Sequence, residues 1–283
     1  MTDERDMYQT SHLRIVPRRH WGRWIAAGVV CLLLAALVRA FINGKIEWSY
    51  VGQFLFSQSI LEGLVNTILM TFAAMAVGIT LGVIFAIMRI SENPVLSTIA
   101  TGYVWIFRGA PALLQLLLWF NLALVFPKIG IPGLFEWRTV DVMTPFVAAM
   151  LALGIQQGAY TSEVVRGGLL SVDAGQYEAA RSIGMGQLLM LRRIILPQAM
   201  RVILPPIGNE LIGMVKTTSL ASVIQYSEIL HNAQIIYYAN TRVLELLLVA
   251  SFWYLSAVTV LSIGQMYVER YFARGIQRLK AAG

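Results

Sequence analysis

The chain has 283 residues, 57% of them hydrophobic and only 13% charged, with a mean hydropathy of +0.66 and a formal net charge of +7. Soluble globular chains carry about 25% charged residues. The composition therefore excludes a soluble domain, a disordered protein and a disulfide-rich secreted module, and leaves an all-α polytopic membrane protein. No run of short alternating segments marks a transmembrane β-barrel.

Six apolar segments follow one another along the chain: Trp24–Ile42, Ser59–Met88, Leu96–Phe126, Val142–Leu170, Ile203–Ile224 and Leu246–Val268. A hydrocarbon core of ~30 Å needs about 20 helical residues, and every segment but the first, shortened by Arg39, clearly reaches that length. Lys and Arg distribute unevenly over the connections. Fifteen fall in the tails and in the second and fourth connections, among them Arg5, Arg14, Arg18, Arg19, Arg89, Arg181, Arg192, Arg193, Arg274, Arg278 and Lys280, against four (Lys45, Lys128, Arg138, Arg242) on the opposite side. That asymmetry predicts six spans with both termini cytoplasmic. The basic charge is thus explained by topology, and no nucleic-acid partner is expected. An uncleaved first segment is expected too, because its leading region is long and acidic (Asp3, Glu4, Asp6) and no small-x-small cleavage site follows it. Cys31 is a lone thiol, and His12, His20 and His231 lack ligand spacing, so no metal is predicted.

The connection after the fourth segment, residues 171–200, is long and patterned. Asp173 is placed to cap a helix with Gln176 at the third helical position. Ala179 and Ala180 favour the helix, and Gly184 suits a positive-φ stop. A second apolar and basic helix follows and meets Pro197, which predicts a kink or a stop. Two short helices joined at a glycine would either lie on the lipid surface or plug into a cytoplasmic partner.

Within the spans, charged and polar residues are functional candidates because each is costly in lipid. Gln156, Tyr160 and Glu163 recur at i, i+4, i+7 on one face. Asn209 and Lys216 share a face, with Glu210 and Thr217 on the neighbouring one. Arg108 and Gln115 are likewise seven apart. Glu163 is a candidate acceptor for an ammonium group, and Arg108 or Lys216 a candidate donor to a carboxylate; structural pairing between helices is the competing reading. Pro111 and Pro205-Pro206 free backbone groups to line a cavity. Gly78/Gly82 and Gly154/Gly158 are small-xxx-small pairs that predict close helix packing. Trp21, Trp24, Trp48, Trp137, Tyr267 and Tyr271 read as interfacial anchors.

Glu178-Ala179-Ala180, Gly184 and Ile195-Leu196-Pro197 resemble the EAA loop of ABC importer permeases. Phe107-Arg-Gly-Ala-Pro-Ala-Leu-Leu-Gln115, the stretch from Gly158 to Gly168, Lys216-Thr-Thr-Ser-Leu220 and Asn66-Thr67 are similar to the branch that moves polar amino acids and opines. The resemblance covers residues 59–272, leaving 1–58 as a tail, an extra helix and an outer loop, and 273–283 as a cytoplasmic tail. It implies a five-helix type I importer core preceded by one additional helix, in a bacterial inner membrane. It also implies pairing with a second permease, identical or homologous, two cytoplasmic ATPases that grip the EAA loops, and an extracytoplasmic binding protein. Asp173, Glu178, Ala179, Ala180, Gly184 and Pro197 would form the coupling loop, and Arg108, Gln115, Gln156, Tyr160, Glu163, Asn209, Lys216, Thr217 and Ser219 the substrate path. Gly44-Lys45 is followed by Ile46, so no P-loop exists in this chain. It is expected to be no enzyme and to hold no cofactor; ATP and Mg would belong to the partner. An ATP-independent carrier would show an internal repeat, and a membrane enzyme would cluster metal-ligating or nucleophilic residues; neither pattern is present.

Overall fold

The computed structural model describes residues 21–131 and 134–273; the basic residues read at 5–19 and 274–280, His12, His20 and nearly all of the 273–283 tail lie outside them. The chain divides into two compact units at Glu47/Trp48. In the first, α1 (Trp21–Ile42) is apolar all round and has no buried residue.

The second unit is a helical bundle. It begins with α2 (Trp48–Leu55), α3 (Gln58–Ile90), α4 (Pro94–Gly109) and α5 (Ala112–Phe120). A single 3-10 turn, the strands β1 (Lys128–Ile131) and β2 (Phe135–Arg138) and the short α6 (Thr139–Val142) then lead to α7 (Pro145–Leu170). Next come α8 (Ala174–Ser182), α9 (Gln187–Met190) and α10 (Leu196–Thr217), followed by a 3-10 stretch Thr218–Ile224, α11 (Ile229–Asn240) and α12 (Val243–Ala273). Among the described residues α1, α3 and α12 are long and apolar enough to cross a membrane, and α4 with α5 forms a fourth, bent candidate. α7, with 26 residues, and α10, with 22, are also of spanning length but more polar.

Sequence expectations change at the prolines. The third segment is not one helix: α4 and α5 meet at 102°. Pro111 is the cause, since it cannot donate and drives Ala110 into an extended conformation (ψ 138°). Arg108 and Gln115, on either side of this bend, therefore do not share a face. Nor does Pro197 stop a helix. Ile195, just before α10, is itself helical (φ −78°, ψ −53°), so helix runs without a gap from Gln187 to Thr217 and Pro197 lies inside it. The irregularity falls just before it, in a π turn over Leu191–Ile195 whose wider spacing lets the Leu196 amide reach the Leu191 carbonyl.

The axis of the bundle is the pairing of α3 with α7. A Cβ on Gly78 would lie 2.7 Å from Gln157 Cγ, and one on Gly82 would lie 2.6 Å from Thr161 Cγ2. Reciprocally, Gly154 faces Val77 at 2.7 Å and Gly158 faces Leu81 Cβ at 2.8 Å. Both members of each small-xxx-small pair are thus spent on close approach, the interaction that holds helices together where lipid removes the hydrophobic drive between them. Three further apolar clusters brace the pair. Met70, Leu116, Ala149 and Ile224 join α3, α5, α7 and the 3-10 stretch. Ala86, Val165, Ala180, Ile195 and Ile203 join α3, α7, α8 and α10. Ile60, Ile229 and Leu246 join α3, α11 and α12.

The region after Ile224 is more ordered than a simple connection. Buried Glu228 caps α11, accepting from Leu230 N at 2.9 Å and His231 N at 2.7 Å, and also from the Tyr254 hydroxyl of α12. Trp253 Nε1 donates to Leu55 O at 2.7 Å, so α2 is fastened to α12. Pro205-Pro206 leaves α10 continuous, and Gln265 of α12 donates to Pro205 O at 3.0 Å.

The Gly82→Ala variant should lose about 1–3 kcal/mol through overpacking against Thr161. Gly213→Ala, with open space around its Cβ, should lose nothing. Thermal unfolding of the detergent-purified protein checks both.

Candidate functional site

The C-terminal half of α7 carries Glu163, and three arginines converge on it. Arg89, at the end of α3, and Arg108, at the end of α4, both donate to Oε1, the latter at 3.4 Å. Arg166, one turn along α7, donates to Oε2 from both Nε (3.1 Å) and Nη2 (2.9 Å). One carboxylate therefore serves three guanidiniums, and the cluster retains surplus positive charge. Arg108 is the most loosely held of the three. Its guanidinium also lies over the Tyr160 ring, 5.2 Å from the centroid.

A cavity of about 820 Å3 opens beside it, lined by Arg89 and the α4 residues Thr101, Trp105 and Arg108, then Ala110 at the bend and Tyr160 of α7. The bend supplies free carbonyls. Gln115 Nε2 donates to Phe107 O and Ala110 O, both at 3.0 Å, and Gln156 Nε2 reaches Ala110 O at 3.4 Å. Gln115 is buried and spends its amide on stapling the break. Such a wall, apolar with two arginines at one end, suits a small molecule bearing a carboxylate. Glu163 is not presented as a lone ammonium acceptor, because its oxygens are already shared among cations.

Of the residues read as a substrate path, Arg108, Tyr160, Glu163, Gln156 and Gln115 are brought together at this bend. Of these five only Arg108 and Tyr160 line the cavity, the other three touching Arg108 or the carbonyls of the bend; Asn209, Lys216, Thr217 and Ser219 are not among its lining residues. Asn209 and Lys216 are exposed on α10. Thr217 and Ser219 return their hydroxyls to the Gly213 and Lys216 carbonyls. Sequence reasoning counted Arg89 only as a connection charge and missed it as a partner of Glu163. The signal was its place in the last turn of α3, from which a long side chain reaches back along the bundle. It also passed over the link in which Thr161 Oγ1 donates to Glu210 Oε2 at 2.8 Å, tying α7 to α10.

The patterned loop forms α8 as follows. Asp173 Oδ1 accepts from Gly175 N at 2.7 Å. The Gln176 side chain does not turn back to close a capping box; it accepts from Gln198 Nε2 at 3.3 Å. At the other end Gly184 takes φ +73°. Gly184 N donates to Arg181 O at 2.9 Å and Met185 N to Ala180 O at 3.1 Å, the two bonds of a Schellman stop. Ala180 is buried in the cluster that joins α3, α7 and α10, while Glu178, Ala179, Ile183 and Leu188 are exposed. The loop thus has one face fixed to the bundle and one face free.

Glu163→Gln should leave three guanidiniums without their common counter-charge and cost about 1–3 kcal/mol. Arg108→Ala breaks only the longest contact and should change stability by less than about 1 kcal/mol, yet remove one of the two arginines from the cavity wall and cut transport. Thermal unfolding set beside uptake separates the two effects.

Residues 78–276 match the family described as the binding-protein-dependent transport system inner membrane component. The arginine transport system permease protein ArgU of Corynebacterium glutamicum is 40% identical over 97% of this chain and 87% of its own length. The nopaline transport system permease protein NocM of Agrobacterium fabrum is 38% identical over 72% of this chain and 83% of its own. Among solved structures, an amino acid ABC transporter determined with histidines superposes with a TM-score of 0.69 at 32% identity, covering 81% of this chain and all of that one. The chain belongs to the binding-protein-dependent transport system inner membrane component family, as a multi-pass inner-membrane permease subunit of an ABC transporter.

Proposed function

We propose that this permease imports a polar amino acid, or a close derivative such as an opine, by alternating access, as one half of a permease pair. The fold is read as six spans with both termini cytoplasmic. Two ABC ATPases bind beneath and hold ATP and its Mg2+; an extracytoplasmic binding protein delivers the substrate. The names carried by the similar proteins, an arginine, a nopaline and an amino acid transporter, support the substrate class. The positively charged end of the cavity supports the same reading, since every amino acid brings a carboxylate for Arg108 to bind. Glu163 then acts as the shared counter-ion that orients Arg108. Lys216, exposed at the end of α10, is assigned to the contact with the second permease.

The observation that carries the coupling is the two-faced loop. Residues 171–200 present Glu178, Ala179 and Ile183 outward from a helix whose Ala180 is packed into the bundle. A partner that moves this helix moves the inner ends of α3, α7 and α10 with it. The Glu178→Lys variant should insert normally but lose the ATPase chain on purification in mild detergent, and lose ATP-driven uptake. Gly184→Val has open space for its side chain, yet must hold a β-branched residue at φ +73°, at about 1–2 kcal/mol; it should uncouple in the same way. Copy numbers in the purified wild-type complex give the direct test. ATPase and permease in equal number support the reading, and normal ATPase retention and uptake in both variants would overturn the loop's role.

A further inference from the structure

Between the bent span and α7 the chain leaves the bundle as a two-stranded ribbon. The register pairs Lys128 with Arg138, Ile129 with Trp137, Gly130 with Glu136 and Ile131 with Phe135. Directly opposed residues share a face and successive residues alternate. The ribbon therefore sorts itself by chemistry: Ile129, Ile131, Phe135 and Trp137 lie on one face, and Lys128, Gly130, Glu136 and Arg138 on the other. The charged face is internally matched, with Lys128 Nζ 2.7 Å from Glu136 Oε2 and Arg138 Nε 3.7 Å from Asp141 Oδ2. The apolar face is bare. Ile131 is 55% exposed, Phe135 42% and Trp137 59%, with the two rings 5.1 Å apart.

The ribbon has no slack. Buried Thr139 clamps its base, its amide donating to Pro127 O at 3.0 Å and its hydroxyl to Phe126 O. Leu124, Val125 and Phe126, which join α5 to β1, are themselves exposed and apolar. The bare face thus continues the apolar surface at the end of a membrane span, on the side opposite the α8 loop, since α7 runs from the one to the other.

We propose that the ribbon is a membrane-surface anchor whose apolar face dips into the outer leaflet while its charged face stays in water. Continuity with the exposed span end selects lipid as the occupant. A Trp settles at the membrane–water interface, and Trp and Phe are side chains that interfacial amphipathic elements bury in the headgroup–acyl boundary. The balanced charges mean that apolar insertion, not attraction to anionic headgroups, holds it there. The anchor fixes the outer end of the bent span that carries Arg108 and lines the cavity.

Cys31 is the sole cysteine of the chain, so Cys31→Ser provides a background for spin labels at Phe135→Cys and Glu136→Cys, on opposite faces. The labelled chains are tested in the assembled transporter, in phosphatidylethanolamine/phosphatidylglycerol proteoliposomes. The label at 135 should collide with oxygen in preference to a water-soluble nickel chelate, the label at 136 the reverse, with neither depending on the phosphatidylglycerol fraction. Equal access of the chelate to both labels overturns the anchor. So does a 135 label that stays wet until the extracytoplasmic binding protein is added and is then immobilised, which would give the face to that protein. A second readout leaves this face unlabelled: acyl-chain brominated lipid should quench more tryptophan emission in the unlabelled transporter than in its Trp137→Phe variant, and equal quenching contradicts insertion.

Discussion

The close approach of α3 and α7 sets the geometry of everything else. In lipid, two helices gain little from burying apolar surface against each other, so contact depends on packing at short range. Four glycines allow it here, and their partners (Val77, Leu81, Gln157, Thr161) fill the grooves they leave. Because α3 and α7 are held at that distance, Arg89 on one and Glu163 on the other come within ion-pair reach. The same contact aligns Thr161 with Glu210 of α10.

From that pair the two ends of the proposed mechanism are physically joined. Val165 lies two residues beyond Glu163, and Ala86 three before Arg89. Both belong to the cluster that receives Ala180 of the loop helix. A close-packed cluster transmits displacement instead of absorbing it. In the proposed mechanism, motion imposed on α8 reaches the arginine cluster through a path one helical turn long. Arg108 is the weakest held of the three cations, and in the proposed mechanism it is the one that exchanges Glu163 for an arriving carboxylate. Its helix ends at a bend whose carbonyls are kept occupied by Gln115 and Gln156, so the cavity wall is shaped without stranding backbone groups in lipid.

Much of this was legible in the sequence because it depends on local rules. Span length, the glycine spacings, the Asp173 cap and the Gly184 stop each follow from a few neighbouring residues. The α4–α5 bend was half visible: Pro111 marks a break, but a proline does not state an angle, and the seven-residue spacing of Arg108 and Gln115 held meaning only on an unbroken helix. Pro197 misled in the opposite way, since a π turn just before it lets the helix run on past a residue that usually stops one. The partners of Glu163 were hidden because Arg89 and Arg108 reach it from other helices, and single-sequence periodicity carries no information across helices. The ribbon was hidden by its shortness; four-residue strands give no period to read, and its amphipathic sorting emerges only once the register is known.

The central claim is that this permease moves an amino acid only when ATPase action reaches it through the loop helix. Its most direct measurement is uptake of a labelled polar amino acid into proteoliposomes holding the permease, its ATPase and its binding protein, with ATP on the ATPase side. Uptake against a gradient that requires ATP and the binding protein together is the predicted result. Accumulation by the permease alone, driven by an ion gradient with no ATP present, would contradict it.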